Sequence, residues 1–141
     1  MALSTKKSLN LAVARQIAQA AEAEAQKHGW NVVVAIVDDG GHLIYLQRMD
    51  DTQYASVEVA TLKARTAIGF KRPSKFFEDA VTNGRNVVLG MPVIPLEGGL
   101  PLAVDGKMIG AIGVSGVTAQ QDGVVAKAGA EALVRIAESS P

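Results

Sequence analysis

Two stretches of this chain are built alike: VVVAIVDDGGHLIYLQRMD from Val32 to Asp50, and GGLPLAVDGKMIGAIGVSG from Gly98 to Gly116. Each is an apolar run, a turn of Asp and Gly, and a second run of strand-forming residues, which is the pattern of a β-hairpin. Glycine supplies the positive backbone angles such turns need, so Asp38-Asp39-Gly40-Gly41 and Asp105-Gly106 are read as the two turns. Two hairpins supply most of an antiparallel sheet. Val32 to Val37 is apolar at every position, as a central strand covered on both faces requires. Met108 to Gly116 has small or apolar residues on both alternating faces and is read as central too. His42 to Arg48 mixes in polar side chains and belongs nearer an edge. Pro92, Pro95 and Pro101 bracket short extended pieces, expected at the sheet margin, where a missing amide donor costs least.

Helical spacing fills the rest. Leu9, Val13, Ile17 and Ala20 or Ala21 recur at three-to-four intervals and predict a first helix from Ser4 or Ser8 to His28, closed by Gly29. The alanine-rich stretch from Gln53 to Phe70 predicts a second, with Ala55, Val59 and Leu62 along one face and Lys63, Thr66 and Phe70 following. Arg72-Pro73 ends it. Ser74 is placed to cap a short third helix through Ala80. Thr118 and Gln121 have capping-box spacing for a last helix with the stripe Val125, Ala128, Ala132, Leu133 and Ile136. Strands in antiparallel hairpins, with helices before, between and after them, read as an α+β fold.

A chain of 141 residues, 48% apolar and 20% charged, suits a single domain over residues 1–141. Fourteen basic side chains balance fourteen acidic ones, without the basic stripe that nucleic acid would need as a partner. The N-terminus lacks the apolar core of a signal peptide and no run reaches membrane-spanning length, so cytoplasmic residence away from membranes is expected. With no Cys and two His, thiolate sites, disulfides and a three-histidine metal centre are excluded. G-x-S-x-G, H-E-x-x-H and P-loop motifs are absent as well. What remains is a set of polar residues at turns and strand ends: Asp38, Asp39, His42, Arg48, Lys63, Thr66, Ser115 and Asp122. Each also has a plainer reading. His42 can simply pack its ring beside the turn, His28 can complement a helix C-terminus, and adjacent Asp residues more often make turns than act as acids. Lys63 and Arg65 point to different sides of their helix, so one of them can turn inward.

The motifs VVDDGGHL, RMD, KARTA, GGLPL, GAIGVSG and QD, in this order from about Ala12 to Ala137, resemble the GlcG/HbpS-like haem-binding family, which also occurs as the C-terminal domain of PduO-type proteins. The resemblance implies a profilin-like five-stranded antiparallel sheet with helices packed on its faces and the first and last strands in the middle. It selects Lys63 as the inward residue and brings the Gly98-Gly99 and Ser115-Gly116 loops toward the second helix. The ligand-binding residues it implies are His42, Arg48, Lys63, Thr66, Gly98, Gly99, Ser115 and Gly116, with no metal site built from protein side chains alone. Haem is the implied cofactor, with Lys63 or Arg48 suiting its propionates, and peroxide-dependent haem degradation is the implied activity. An enzyme or accessory protein of glycolate or diol catabolism, holding a small anionic ligand at Lys63 and an oxyanion at the Ser115-Gly116 amides, stays open beside it. The glycine- and alanine-rich helices and the family's habit of assembly together imply a homo-oligomer.

Overall fold

The computed structural model describes residues 1–139, as α1 (Leu11–His28), β1 (Val33–Asp38), β2 (Leu43–Arg48), α2 (Ala55–Phe70), α3 (Lys75–Thr82), a 3-10 turn (Asn86–Gly90), β3 (Gly99–Val104), β4 (Lys107–Ser115) and α4 (Ala119–Ser139). The strands form one antiparallel sheet in the order β2-β1-β4-β3. Thus β1 and β4 are central, with Val33 opposite Ser115 and Asp38 opposite Gly110, and β2 and the Pro101-bearing β3 are the edges.

The expected five-stranded, profilin-like sheet is corrected to four strands. Pro92 and Pro95 leave only Val93 and Ile94 between them, and neither amide enters a ladder. Val93 N donates to the Met91 carbonyl at 2.8 Å and Ile94 N to Thr66 Oγ1 at 3.0 Å, so the segment is tied to α2 instead of the sheet.

Alternation along the central strands separates two layers of core. Val34, Ile36, Ile112 and Val114 face α1 and α4, joined by Ile17, Val125 and Leu133. The opposite faces, with Val33, Ala35, Val37 and Ala111, meet α2. This second face is paved with small residues, and α2 therefore sits close. A Cβ on Gly113 would collide with the Ala60 carbonyl oxygen and lie 2.6 Å from Ala64 N. The expected apolar face of α2 is accordingly corrected: Ser56, Ala60, Lys63, Ala64 and Ala67 are buried, while Leu62 is 38% exposed. Gly129 of α4 serves close packing within the chain, since a Cβ there would come within 3.3 Å of Ile17 Cγ2.

Local signals account for most element ends. Asn10, not Ser4 or Ser8, caps α1 through its side chain, accepting from Val13 N at 2.9 Å, and Leu9 just before it is buried in the core. Gly29 closes α1 with φ +72. Thr118 and Gln121 form the expected reciprocal cap on α4, at 3.2 and 3.3 Å. Asp105 and Gly106 both have positive φ, the mark of a type I′ hairpin turn. In the other turn Gly41 has positive φ and Asp38 Oδ1 accepts from Gly40 N and His42 N, both at 2.9 Å. The His42 amide is the main cause of a lowered Asp38 pKa. Among the described residues no helix is long and apolar enough to cross a membrane.

Candidate functional site

Lys63 faces inward and Arg65 outward, as expected. The Lys63 ammonium donates to the Val114 carbonyl at 3.0 Å and to Asp122 Oδ2 at 2.9 Å, and both charged side chains are 2% exposed. Asp122 Oδ1 accepts from Val117 N at 3.1 Å, so the carboxylate also fastens the start of α4. Burial pushes the Asp122 carboxyl above the usual Asp range, against the lowering pull of Lys63 and of the Val117 amide. Gly98 seals the pair from above. A Cβ there would lie 2.9 Å from Lys63 Nζ, and its φ of +131 is one that side-chain-bearing residues rarely adopt. Gly99 packs on the Lys63 backbone, and its N–H donates at 2.8 Å to the buried hydroxyl of Ser74. Ser74 does not cap α3 through its side chain. Its hydroxyl donates to the Leu96 carbonyl at 2.6 Å and holds the Gly98-Gly99 corner in place.

Ser115 and Gly116 adjoin this ion pair, since they link Val114, which accepts from Lys63, to Val117, which donates to Asp122, and the remaining expected site residues lie further off. Ser115 Oγ donates to Ser56 Oγ at 3.1 Å, and Arg48, opposite Val33, is exposed at the same end of the sheet, near Gly116. His42 lies at the other end, beyond Asp38, roughly 16 Å away along the strands at about 3.3 Å per residue. Thr66 is buried and tied to Ile94. The eight residues therefore fall into three places: a sealed ion pair with Gly98, Gly99 and the adjoining Ser115-Gly116 turn, Arg48 exposed at that end of the sheet, and a His42-Thr66 end. Among the described residues no three of His, Cys, Asp and Glu gather to hold a metal ion.

Two adjoining grooves open at the His42 end. One, of about 690 Å3, runs between the β1–β2 turn, the second half of α2 and the Met91–Ile94 segment. Leu62, Ile68, Pro92, Val93 and Ile94 give it an apolar wall, Gly40, Gly41 and Gly69 a flat one, and Arg65 and Lys71 its cations. His42 borders it, since a Cβ on the lining residue Gly40 would lie 3.0 Å from the His42 ring. His42 Nδ1 is 3.4 Å from Asp38 Oδ1 and its side chain is 82% exposed, which leaves Nε2 open to a ligand. The second groove, of about 780 Å3, shares Asp39 and Lys71 with the first and adds Lys6, Lys7 and Lys107. Lys6 is paired with Asp39, and Lys7 with Asp105 at 3.1 Å.

Lys71 and Met91 were not singled out in the sequence, and Arg65 was weighed there only as the alternative to Lys63. Their only signal is position: Arg65 lies two residues from Lys63 and so on the outer side of α2. Glu97 is another missed residue. Burial raises its carboxyl pKa, and its side chain lies over Gly123, where a Cβ would come within 2.9 Å of its Cδ.

A family model described as "Haem degrading protein HbpS-like" matches residues 9–131. The chain is 46% identical over 114 residues to the Protein GlcG of Escherichia coli K12, covering 80% of this chain and 85% of that protein. It is similar in fold to a structure described as a PduOC:Heme complex, with a TM-score of 0.80 and 33% identity, covering 89% of this chain and 95% of the other. It also resembles a double mutant of Streptomyces reticuli HbpS, with a TM-score of 0.82 and 30% identity, covering 92% and 89% of the two chains.

Proposed function

This chain belongs to the GlcG/HbpS-like family, and on that premise we propose that it binds haem in the groove between α2 and the Met91–Ile94 segment. The observation that carries the location is the composition of that groove: an apolar wall and a glycine-lined wall, with two cations, in a volume within the usual range for small-molecule sites of about 300 to 1,000 Å3. A flat apolar ring with two carboxylates needs those parts. Arg65 and Lys71 would hold the propionates by charge-assisted hydrogen bonds, while Leu62, Val93 and Ile94 exclude water from one face. His42, at the border of the groove, would hold the iron in this reading. Imidazole is a common haem ligand, and Asp38 beside Nδ1 orients the ring as carboxylates orient metal-binding histidines. When bound, haem would supply iron redox chemistry with peroxide. The relation to a haem complex of PduOC supports the reading.

Titration with hemin tests it. A saturable Soret band is expected, shifted in His42→Ala and weakened about tenfold or more in the Arg65→Ala/Lys71→Ala double variant. Absence of the band would remove haem from consideration, and unchanged binding in the double variant would remove this groove. The finer form of the proposal is slow peroxide-dependent breakdown of bound haem, read as bleaching of that band on adding hydrogen peroxide.

The proposal extends to assembly. Tyr54, 81% exposed just before α2, leaves apolar surface outside the groove, which a second copy of the chain would cover. Light scattering is expected to report an oligomer that Tyr54→Glu dissociates, and a parent chain found only as a monomer would refute this.

A further inference from the structure

Of the four methionines of the chain, one lies open on the wall of the groove proposed for haem. Met49 and Met108 are half-buried and packed against the core, and Met1, exposed at the start of the chain, lines neither groove. Met91 is 37% exposed and lines the groove between α2 and the β1–β2 turn. Its backbone is held on both sides. The Met91 N–H donates to the Val88 carbonyl at 3.0 Å, the Met91 carbonyl accepts from Val93 N at 2.8 Å, and Ile94 N is tied to Thr66 Oγ1 of α2 at 3.0 Å. Nothing lies within 4 Å of a Cβ on Gly90 just before it, which leaves that approach open. A small solute can therefore reach the thioether while the segment that carries it stays fixed.

The thioether has a reactivity that no other side chain lining this groove shares, since peroxide oxidises sulfur and leaves alkyl, hydroxyl, carboxylate and cationic groups alone. We propose that Met91 is an oxidation site and that its sulfoxide closes the groove to haem. Hydrogen peroxide is the only co-reactant the step needs. The sulfur lone pair attacks one peroxide oxygen, an S–O bond forms as the O–O bond breaks, and the other oxygen leaves as hydroxide and takes the remaining proton to become water. Sulfur loses the electron pair that peroxide gains.

The product is a polar, chiral group where an apolar one stood, beside Leu62, Val93 and Ile94. The pinned backbone cannot carry it out of the way. Either the sulfoxide is buried unpaired beneath a flat apolar ring, or its oxygen accepts from Arg65 or Lys71 and takes that cation from a propionate. Both outcomes weaken the hold on haem. Regulation of this kind rests on haem binding in the groove, and it makes peroxide, the co-reactant of bound iron, also the signal that stops reloading. Methionine sulfoxide can be reduced enzymatically, so the change is reversible.

The test reads the modification and its consequence separately. Peptide mass mapping of the haem-free chain after brief peroxide treatment is expected to show one added oxygen on Met91 while Met49 and Met108 stay largely unmodified. The treated, desalted chain is expected to bind hemin about tenfold more weakly than the untreated one, and methionine sulfoxide reductase to restore the affinity. Met91→Leu keeps the volume and the apolar character, so it should bind as the parent does and keep its affinity through the treatment. Met91→Gln, polar at similar length, should bind as weakly as the treated parent. Three results would overturn the proposal and leave haem binding standing: Met49 or Met108 oxidised ahead of Met91, equal hemin binding before and after treatment, or a loss in Met91→Leu as large as in the parent. A chain that gives no Soret band even before treatment would remove haem binding and the proposed regulation together.

Discussion

Lys63→Ala is expected to lower the stability of the fold by about 3 to 5 kcal/mol, because it leaves a carboxylate buried without its counter-charge. Asp122 is 2% exposed, and beyond Lys63 its recorded donor is the Val117 amide. The variant also strips a donor from the Val114 carbonyl in the centre of β4. The loss has a pH signature. An Asp whose folded pKa is raised favours the fold while protonated and loses that contribution as pH rises through the folded value. Burial already raises Asp122 with Lys63 present, and removing the ammonium raises it further, so the deficit should be smaller in acid than at neutral pH. Urea denaturation at both conditions would show it. Replacing both partners together, as Lys63→Met/Asp122→Leu, should recover most of the stability, since an apolar pair in place of a buried ion pair is often neutral or better. A parent-like Lys63→Ala variant would mean that the pair is open to water. The consequence for function is direct: an anion could claim Lys63 only by displacing Asp122, and Lys63 acts first as the tie between α2, β4 and the start of α4.

Which parts of this arrangement were legible in the sequence follows from the range of each signal. The hairpins and the central placing of β1 and β4 rest on alternation and on Asp-Gly turns, local features that tertiary contacts reinforce. The caps of α4 and the end of α1 are local as well. The α2 face was misjudged because large apolar residues were taken to mark the buried side. Against Ala35, Ala111 and Gly113 the helix lies so close that only small residues fit, and size rather than hydropathy selects Ala60, Ala64 and Ala67. The fifth strand failed for want of amides free to pair between Pro92 and Pro95. For the site, Lys63 and Asp122 were both picked out, but that residues 59 apart form one ion pair depends on how α4 returns over the sheet. The grouping of His42 with Ser115 required strand register, which places them at opposite ends.

The close seat of α2 gives the other large expected effect. Gly113→Ala should destabilise the chain by about 3 kcal/mol or more, at or above the upper end of what overpacking usually costs. The added Cβ would collide with the Ala60 carbonyl oxygen and lie 2.6 Å from Ala64 N and 3.0 Å from Ala60 C. These are backbone atoms of a hydrogen-bonded helix and cannot rotate aside as a side chain would, so α2 as a whole must lift from β4. The lift would also disturb the groove proposed for haem, because Thr66 of α2 holds Ile94 in its far wall. Weaker hemin binding is therefore expected to accompany the loss of stability. Gly69→Ala supplies the contrast within the same helix. Nothing lies within 4 Å of a Cβ there, and replacing a helical glycine by alanine should stabilise by up to about 1 kcal/mol. Urea denaturation of the two variants should therefore move in opposite directions for the same one-methyl change, and a Gly113→Ala protein as stable as the parent would mean that α2 does not rest on the sheet at this distance.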